Sequence, residues 1–247
     1  ASHHAAYLGY LNLLLSFHRL LAPESRHAEL NDQITAVLVT RLEEAPFLLL
    51  QSYPGEVYPV DNSAVISSIA LYGRATGANT EPLMKKWSAN CRERWRDSRT
   101  GLLYQAMDPD TGEPLDVGRG SGTCLASYFL SFGDTALSED FYRAARTQLA
   151  GTFCGFGGIR EYAASGPQGP GDIDSGPIFL GFGLSPTGFM IAGSRVHHDP
   201  VEFRRLFATA YAWGAPVTKE GRIHFVTGGP LGDAIMLAML TAGGAAP

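Results

Sequence analysis

Ser52-Tyr53-Pro54-Gly55-Glu56-Val57-Tyr58-Pro59-Val60-Asp61-Asn62-Ser63 decides how the rest of this 247-residue chain is read. A loop of Gly, Pro, acidic and aromatic residues runs directly into a helix of small apolar residues. Three further stretches repeat the arrangement: residues 104–122, residues 160–177 with Arg160-Glu161-Tyr162 and Asp172-Ile173-Asp174, and residues 227–233. A more polar, amphipathic helix follows each of the first three apolar ones. Hairpins that alternate inner and outer helices in this way build an α/α toroid. Every loop entering an inner helix then lies at the same end, so acidic and aromatic side chains far apart in sequence converge on one cleft. The fold expected is all-α, a single α/α-barrel domain over residues 1–247.

Working outward, the apolar spacing predicts about nine helices. Residues 7–21 are apolar nearly all round, as in a buried helix, and Pro23 stops them. Residues 24–44 read as the amphipathic return. Residues 62–72 are small and apolar, with Asp61 or Asn62 the expected N-cap. Residues 81–96 carry Trp87 and Trp95 for packing, and Asp108-Pro109-Asp110-Thr111-Gly112 is a turn. Residues 121–132 form another inner helix and residues 138–152 its outer partner. Residues 177–196, 200–213 and 230–240 complete the set, and the strand-like residues 222–226 are too short to build a sheet. A common ring of six hairpins needs about twelve helices. The shortfall leads us to expect missing N-terminal helices, or completion by a partner such as a second copy in a homo-oligomer; a smaller, open toroid is the alternative.

Bulk properties narrow the class. A 45% hydrophobic and 17% charged composition is that of a globular protein with a core, which argues against disorder. The net charge of −5, with no Lys/Arg run, argues against nucleic acid or an anionic membrane as partner. No apolar stretch reaches the roughly 18–20 residues of a membrane span. Cys91, Cys124 and Cys154 are an odd count without CxxC spacing, neither a disulfide framework nor a zinc site. The chain opens at Ala1 without Met or a signal peptide, which suggests processing or an incomplete sequence. Nothing in it assigns a compartment.

The candidate chemistry lies in carboxylates and tyrosines. Asp61 heads an inner helix, where the dipole and backbone N–H groups favour its ionised form and suit it to act as base or nucleophile; a simple cap is the competing role. Asp174 has the same placement before Gly176-Pro177, and Asp172 brings a second carboxylate close by. Crowded carboxylates drive one pKa upward and so yield an acid and a base; a solvated turn is the alternative. Glu161 follows Arg160 and is expected to pair with it. Tyr53, Tyr58, Tyr104 and Tyr162 stand at the loop mouths as platforms for a sugar or terpenoid, or as rim packing. Gly118-Arg119-Gly120-Ser121-Gly122 has the glycines of a phosphate cradle but no preceding strand and no Lys-Ser/Thr. The paired histidines His3-His4 and His197-His198 point apart on a helix, so no metal site is expected. Cys124 at an inner helix is a cleft candidate whose default role is a small core residue. No cofactor is implied.

Residues across nearly the whole chain resemble the linalool dehydratase/isomerase family. Tyr7-Leu8-Gly9-Tyr10-Leu11-Asn12-Leu13 is similar to its Gly-His-Leu-Asn-Leu helix. The similarity continues, in order, through Pro59-Val60-Asp61-Asn62-Ser63, Gly101-Leu102-Leu103-Tyr104, Asp108 to Gly112, Arg160-Glu161, Asp172-Ile173-Asp174 and Gly228-Gly229-Pro230-Leu231-Gly232-Asp233. The resemblance implies an (α/α)6 barrel and a longer N-terminus. It also implies a catalytic His and a pair of thiols, but Tyr10 stands at the His position and Ser52 and Asp61 at the Cys positions. Three functions follow as expectations. One is a lyase or isomerase acting on a small hydrophobic alcohol or alkene, with carboxylate and Tyr replacing thiol and His. Another is a glycosidase-like enzyme acting on a glycan through paired carboxylates. The last is a barrel that binds a ligand or serves as a subunit without chemistry.

Overall fold

A computed structural model describes residues 4–172 and 175–243. Within them the protein is mostly helical. Nine α-helices run in chain order: α1 (Ala5–Leu21), α2 (Ala28–Glu44), α3 (Pro59–Thr76), α4 (Glu81–Asn90), α5 (Gly120–Leu130), α6 (Thr135–Gln148), α7 (Leu184–Val196), α8 (Pro200–Trp213) and α9 (Gly229–Thr241). The first of these packs on α3, and the series continues α3 on α5, α5 on α7 and α7 on α9. These five form a row, and α2, α6 and α8 each pack against members of it. Extensive packing of α9 back onto α1 is absent among the described residues. Both ends of the row expose apolar side chains: Tyr7, Leu14 and Leu21 on α1, Leu231 and Leu237 on α9.

Burial differs sharply between α3 and α6, whereas α9, expected as an inner helix, buries only Met239. Twelve residues of α3 are buried, as a helix walled in on most sides requires, including Asp61, Asn62, Ser63, Ser67 and Ser68. By contrast α6 buries only one stripe, Leu137, Phe141, Tyr142 and Ala145 with Ser138. Close approach of the inner helices depends on small residues. A Cβ at Gly9 would meet Val65 Cγ2 at 2.7 Å, so α1 and α3 touch there only because Gly9 has no side chain. Beside this contact a buried amide lattice ties three helices. Asn12 Nδ2 donates to Ser68 Oγ (2.9 Å) and Thr35 Oγ1 (3.0 Å), while Asn31 Nδ2 donates to Asn12 Oδ1 (2.8 Å) and Ser16 Oγ (3.1 Å). Pairing of this kind is what makes buried amides tolerable, although Asn31 Oδ1 is left without a partner.

Several boundaries differ from those expected, each for a local reason. Neither Asp61 nor Asn62 caps α3, because Pro59, with its fixed φ, starts the helix two residues earlier. Helix α7 begins at Leu184, not Pro177. The residues between make a short hairpin, β3 (Ile178–Phe179) with β4 (Phe182–Gly183), turned by Leu180 and Gly181 at positive φ. The 222–226 segment does find a partner, as β6 (Arg222–Phe225) pairs with β5 (Pro216–Lys219). A third ribbon, β1 (Ala150–Phe153) with β2 (Phe156–Ile159), closes where the second outer helix was expected to continue. Each ribbon has two strands only, so no sheet organises the core. Trp87 and Trp95 meet edge to face at 5.1 Å in that core. No helix among the described residues is long and apolar enough to cross a membrane.

Candidate functional site

The loop before α3 is built as its sequence suggests. Pro54 and Gly55 turn the chain, with Gly55 at φ +81° and Glu56 N donating to Tyr53 O at 3.0 Å, the arrangement of a type II turn. Ser52 lies fully buried under the turn and accepts a bond from Tyr58 N at 3.2 Å. Asn62 turns away from the opening and clamps the incoming chain, accepting from Leu50 N at 2.7 Å and donating to Leu50 O at 3.0 Å. Asp61, one residue earlier, faces the other way. A cleft of about 360 Å³ opens there, in the size range of small-molecule sites, lined by Tyr10, Tyr53, Glu56, Tyr58, Asp61 and Gln105. Ser121, Gly122, Leu125, Val60 and Phe189 complete its walls.

Four elements thus converge: α1 through Tyr10, the loop and first turn of α3, the start of α5, and Phe189 of α7. Tyr10 Oη donates to Asp61 Oδ1 at 3.2 Å, and its ring packs edge-on to Phe129 at 5.3 Å. Tyr58 Oη donates to Glu56 Oε2 at 2.8 Å, and Tyr58 stands at 71° to Tyr53 with centroids 6.3 Å apart. Asp61 is only 9% exposed and lies in the first turn of α3, at the positive end of its dipole. Gln105 reaches the cleft because position 122 is glycine; a Cβ there would come within 2.9 Å of Gln105 Oε1. The structure therefore brings Tyr10, Tyr53, Tyr58 and Asp61 together. Glu56, Gln105, Leu125 and Phe189 are additions that sequence reasoning did not single out, and Ser121, read there as part of a glycine-rich cradle, is here a wall of the cleft.

The other sequence candidates occupy a different, tighter place. Glu161 is fully buried, and its partner is Arg119 rather than Arg160. Arg119 Nε donates to Glu161 Oε1 at 2.7 Å, while Ser121 donates from its backbone N to Oε2 (3.0 Å) and from Oγ to Oε1 (2.7 Å). Arg160 instead lies 4.7 Å over the Phe182 ring. Asp172 accepts from Arg119 Nη1 at 2.6 Å and from Ser175 N at 2.9 Å, so it braces the loop. Tyr162 lies under the same guanidinium at 5.3 Å, its hydroxyl donating to Pro170 O. Tyr104 is half-buried against the core, with its backbone N bonded to Trp95 O. Asp174 lies outside the described residues.

Electrostatics separate the two places further. Burial pushes the Glu161 carboxyl above the usual glutamate range, against the downward pull of Ser121 and Arg119. For Arg119 burial acts to lower the pKa, but the carboxylates of Asp172 and Glu161 outweigh it and hold the guanidinium charged. The glycine-rich start of α5 is no open anion cradle, because Glu161 already occupies the Ser121 N–H. Gly120 is needed for that closeness: a Cβ would come within 2.3 Å of Arg160 O. Cys124 is fully buried beside Met190, and burial drives its thiol well above the ordinary value, away from thiolate chemistry. His197 is bonded to Ser138 Oγ at 2.9 Å and packs on Tyr142. No cluster of three or more metal-ligating side chains exists among the described residues.

No protein-family model matches this chain, and no curated protein matches it. Function must therefore be argued from the cleft itself.

Proposed function

We propose that this chain is an α/α-toroid enzyme whose cleft carries acid/base chemistry on a small hydrophobic alcohol or alkene, with Asp61 as the proton-carrying group. The single observation behind this is the Tyr10–Asp61 pair, 3.2 Å apart on adjoining helices in a cleft that Val60, Leu125 and Phe189 also line. Its resemblance to the linalool dehydratase/isomerase family supports the same direction of reaction. In the cycle, the Asp61 carboxylate takes the proton of the C–H bond next to the carbinol carbon, and the electron pair of that bond becomes the new double bond. The C–O bond breaks with both electrons going to oxygen, and that oxygen takes the proton back from Asp61 and leaves as water, so the carboxylate ends as it began. Tyr10 positions the carboxylate through its hydroxyl.

A second reading rests on Glu56. It stands in the same cleft as Asp61, and Tyr53 and Tyr58 flank it as stacking faces. Two carboxylates with aromatic platforms also suit a glycosidic bond. One experiment separates the readings. Purified protein is incubated with a tertiary allylic alcohol and with nitrophenyl glycosides, and alkene and nitrophenol are measured. The primary reading expects alkene from the wild type and a loss of about 10²–10⁴-fold in kcat/KM for Asp61→Asn, with folding intact. Nitrophenol release without alkene transfers the assignment to the Glu56–Asp61 pair. Full alkene formation by Asp61→Asn removes Asp61 from the chemistry.

A further inference from the structure

Resting on the reading of this cleft as the functional site, we infer that Phe189 determines its specificity, by fixing how long an apolar tail an alcohol can carry and still fit. The occupant lies with its hydroxyl at the Tyr10–Asp61 pair and its tail across α5, ending against the Phe189 ring. The order of the helices supplies the direction. Tyr10 and Asp61 stand on α1 and α3, Leu125 on α5 and Phe189 on α7. Because α3 packs on α5 and α5 on α7, a tail that leaves Asp61 along the apolar lining meets Leu125 before Phe189.

The other direction, deeper between the helices, is closed. One turn beyond Leu125 on α5 stands Phe129, whose ring meets Tyr10 edge-on at 5.3 Å. Behind it the rings continue in contact: Phe129 to Tyr128 at 5.6 Å, Tyr128 to Phe132 at 5.0 Å and Phe132 to Phe17 at 4.8 Å. Phe129 and Phe132 are buried, and Leu125 packs on the cluster they form with Leu13, Ala64 and Leu71. Forcing a tail into this close-packed stack would displace rings at a cost, so the lateral path remains. Phe189 bounds that path from a separate cluster, the one that holds Met190 and Ile191 of its own helix. Its ring is held by that packing and forms a wall of fixed position, not a flexible end.

The test uses straight-chain primary alcohols from butanol to decanol, which probe accommodation without the chemistry. Isothermal titration calorimetry on the full chain should show affinity rising about three- to fourfold per methylene while the tail is being buried. The rise then stops at the length that reaches Phe189. Phe189→Ala moves this break to chains longer by about two methylenes, and Phe189→Trp moves it to shorter ones. Phe189→Leu gives an intermediate break and serves where the alanine variant does not fold. Asp61→Asn changes the affinity of every alcohol by one common factor and leaves the break in place, as expected if the hydroxyl is bound at that end. A break that stays put in all the Phe189 variants overturns the inference, as does a rise that continues through decanol or no binding of any member. The pattern without alkene in the turnover experiment keeps the wall and removes the reaction; alkene with an unmoved break keeps the reaction and removes Phe189.

Discussion

Two neighbouring regions of this protein contain the same ingredients and use them in opposite ways. Around Arg119, three carboxylates and a tyrosine ring gather on one guanidinium, whose Nη2 is buried without a hydrogen-bond partner, and Glu161 is sealed from solvent. Around Asp61, two carboxylates and three tyrosines face an open cleft of about 360 Å³. Ser121 belongs to both: it lines the cleft while its hydroxyl and amide hold Glu161. The difference shows that residue type does not make a site. A cation placed among acids closes a structural knot around Arg119, whereas Asp61 and Glu56 line a cleft.

The comparison is broken most severely at Arg119. Arg119→Leu leaves Glu161 buried without its counter-charge, and removing one partner of a buried pair costs about 3–5 kcal/mol. Chemical denaturation should show that loss, whereas Asp61→Asn, in the open region, should move stability by less than about 1 kcal/mol. Equal destabilisation by the two changes would erase the distinction. A smaller effect sharpens it within adjacent positions. Asn62→Ala strips the clamp from the Leu50 N–H and C=O and should cost about 1–3 kcal/mol. Its neighbour Asp61→Asn changes ligand turnover instead.

The smallest effect is a pH dependence. Burial holds the folded-state pKa of Glu161 above its unfolded value, so the folded protein binds that proton more readily. The contribution to stability is full below the ordinary glutamate pKa and is lost as pH rises through the raised value. Urea unfolding of wild type and Glu161→Gln at pH values falling from 7 through the ordinary glutamate pKa of about 4.3 should therefore shift the difference in favour of wild type. A constant difference across that whole range would mean Glu161 has the same pKa folded and unfolded.

Much of this layout was legible in local sequence. Pro54-Gly55 announces the turn, small residues after Asp61 announce a buried helix, and of the candidate carboxylates and tyrosines Tyr10, Tyr53, Tyr58 and Asp61 line one cleft. The rest depended on partners distant along the chain. Glu161 sat beside Arg160 in sequence, but the pairing is with Arg119, 42 residues away, because Arg160 packs on Phe182. Asp172 is drawn into the same knot across 53 residues. Glu56 was hidden in plain view inside the decisive loop. Gln105 and Phe189 carry no local signal at all, since only the glycine at 122 and the packing of α7 bring them to the cleft.

The reach of the Arg119–Glu161 pair also has a consequence for synthesis on the ribosome. Ser121 belongs to the cleft wall, yet its two bonds to Glu161 cannot form until a segment 40 residues further on has emerged. Closing a loop of that length precedes any reward from the contact. The far wall of the cleft is therefore a late event in the life of each new chain, and the part of the molecule proposed to act on a ligand is completed after the α1–α3 frame that supports it.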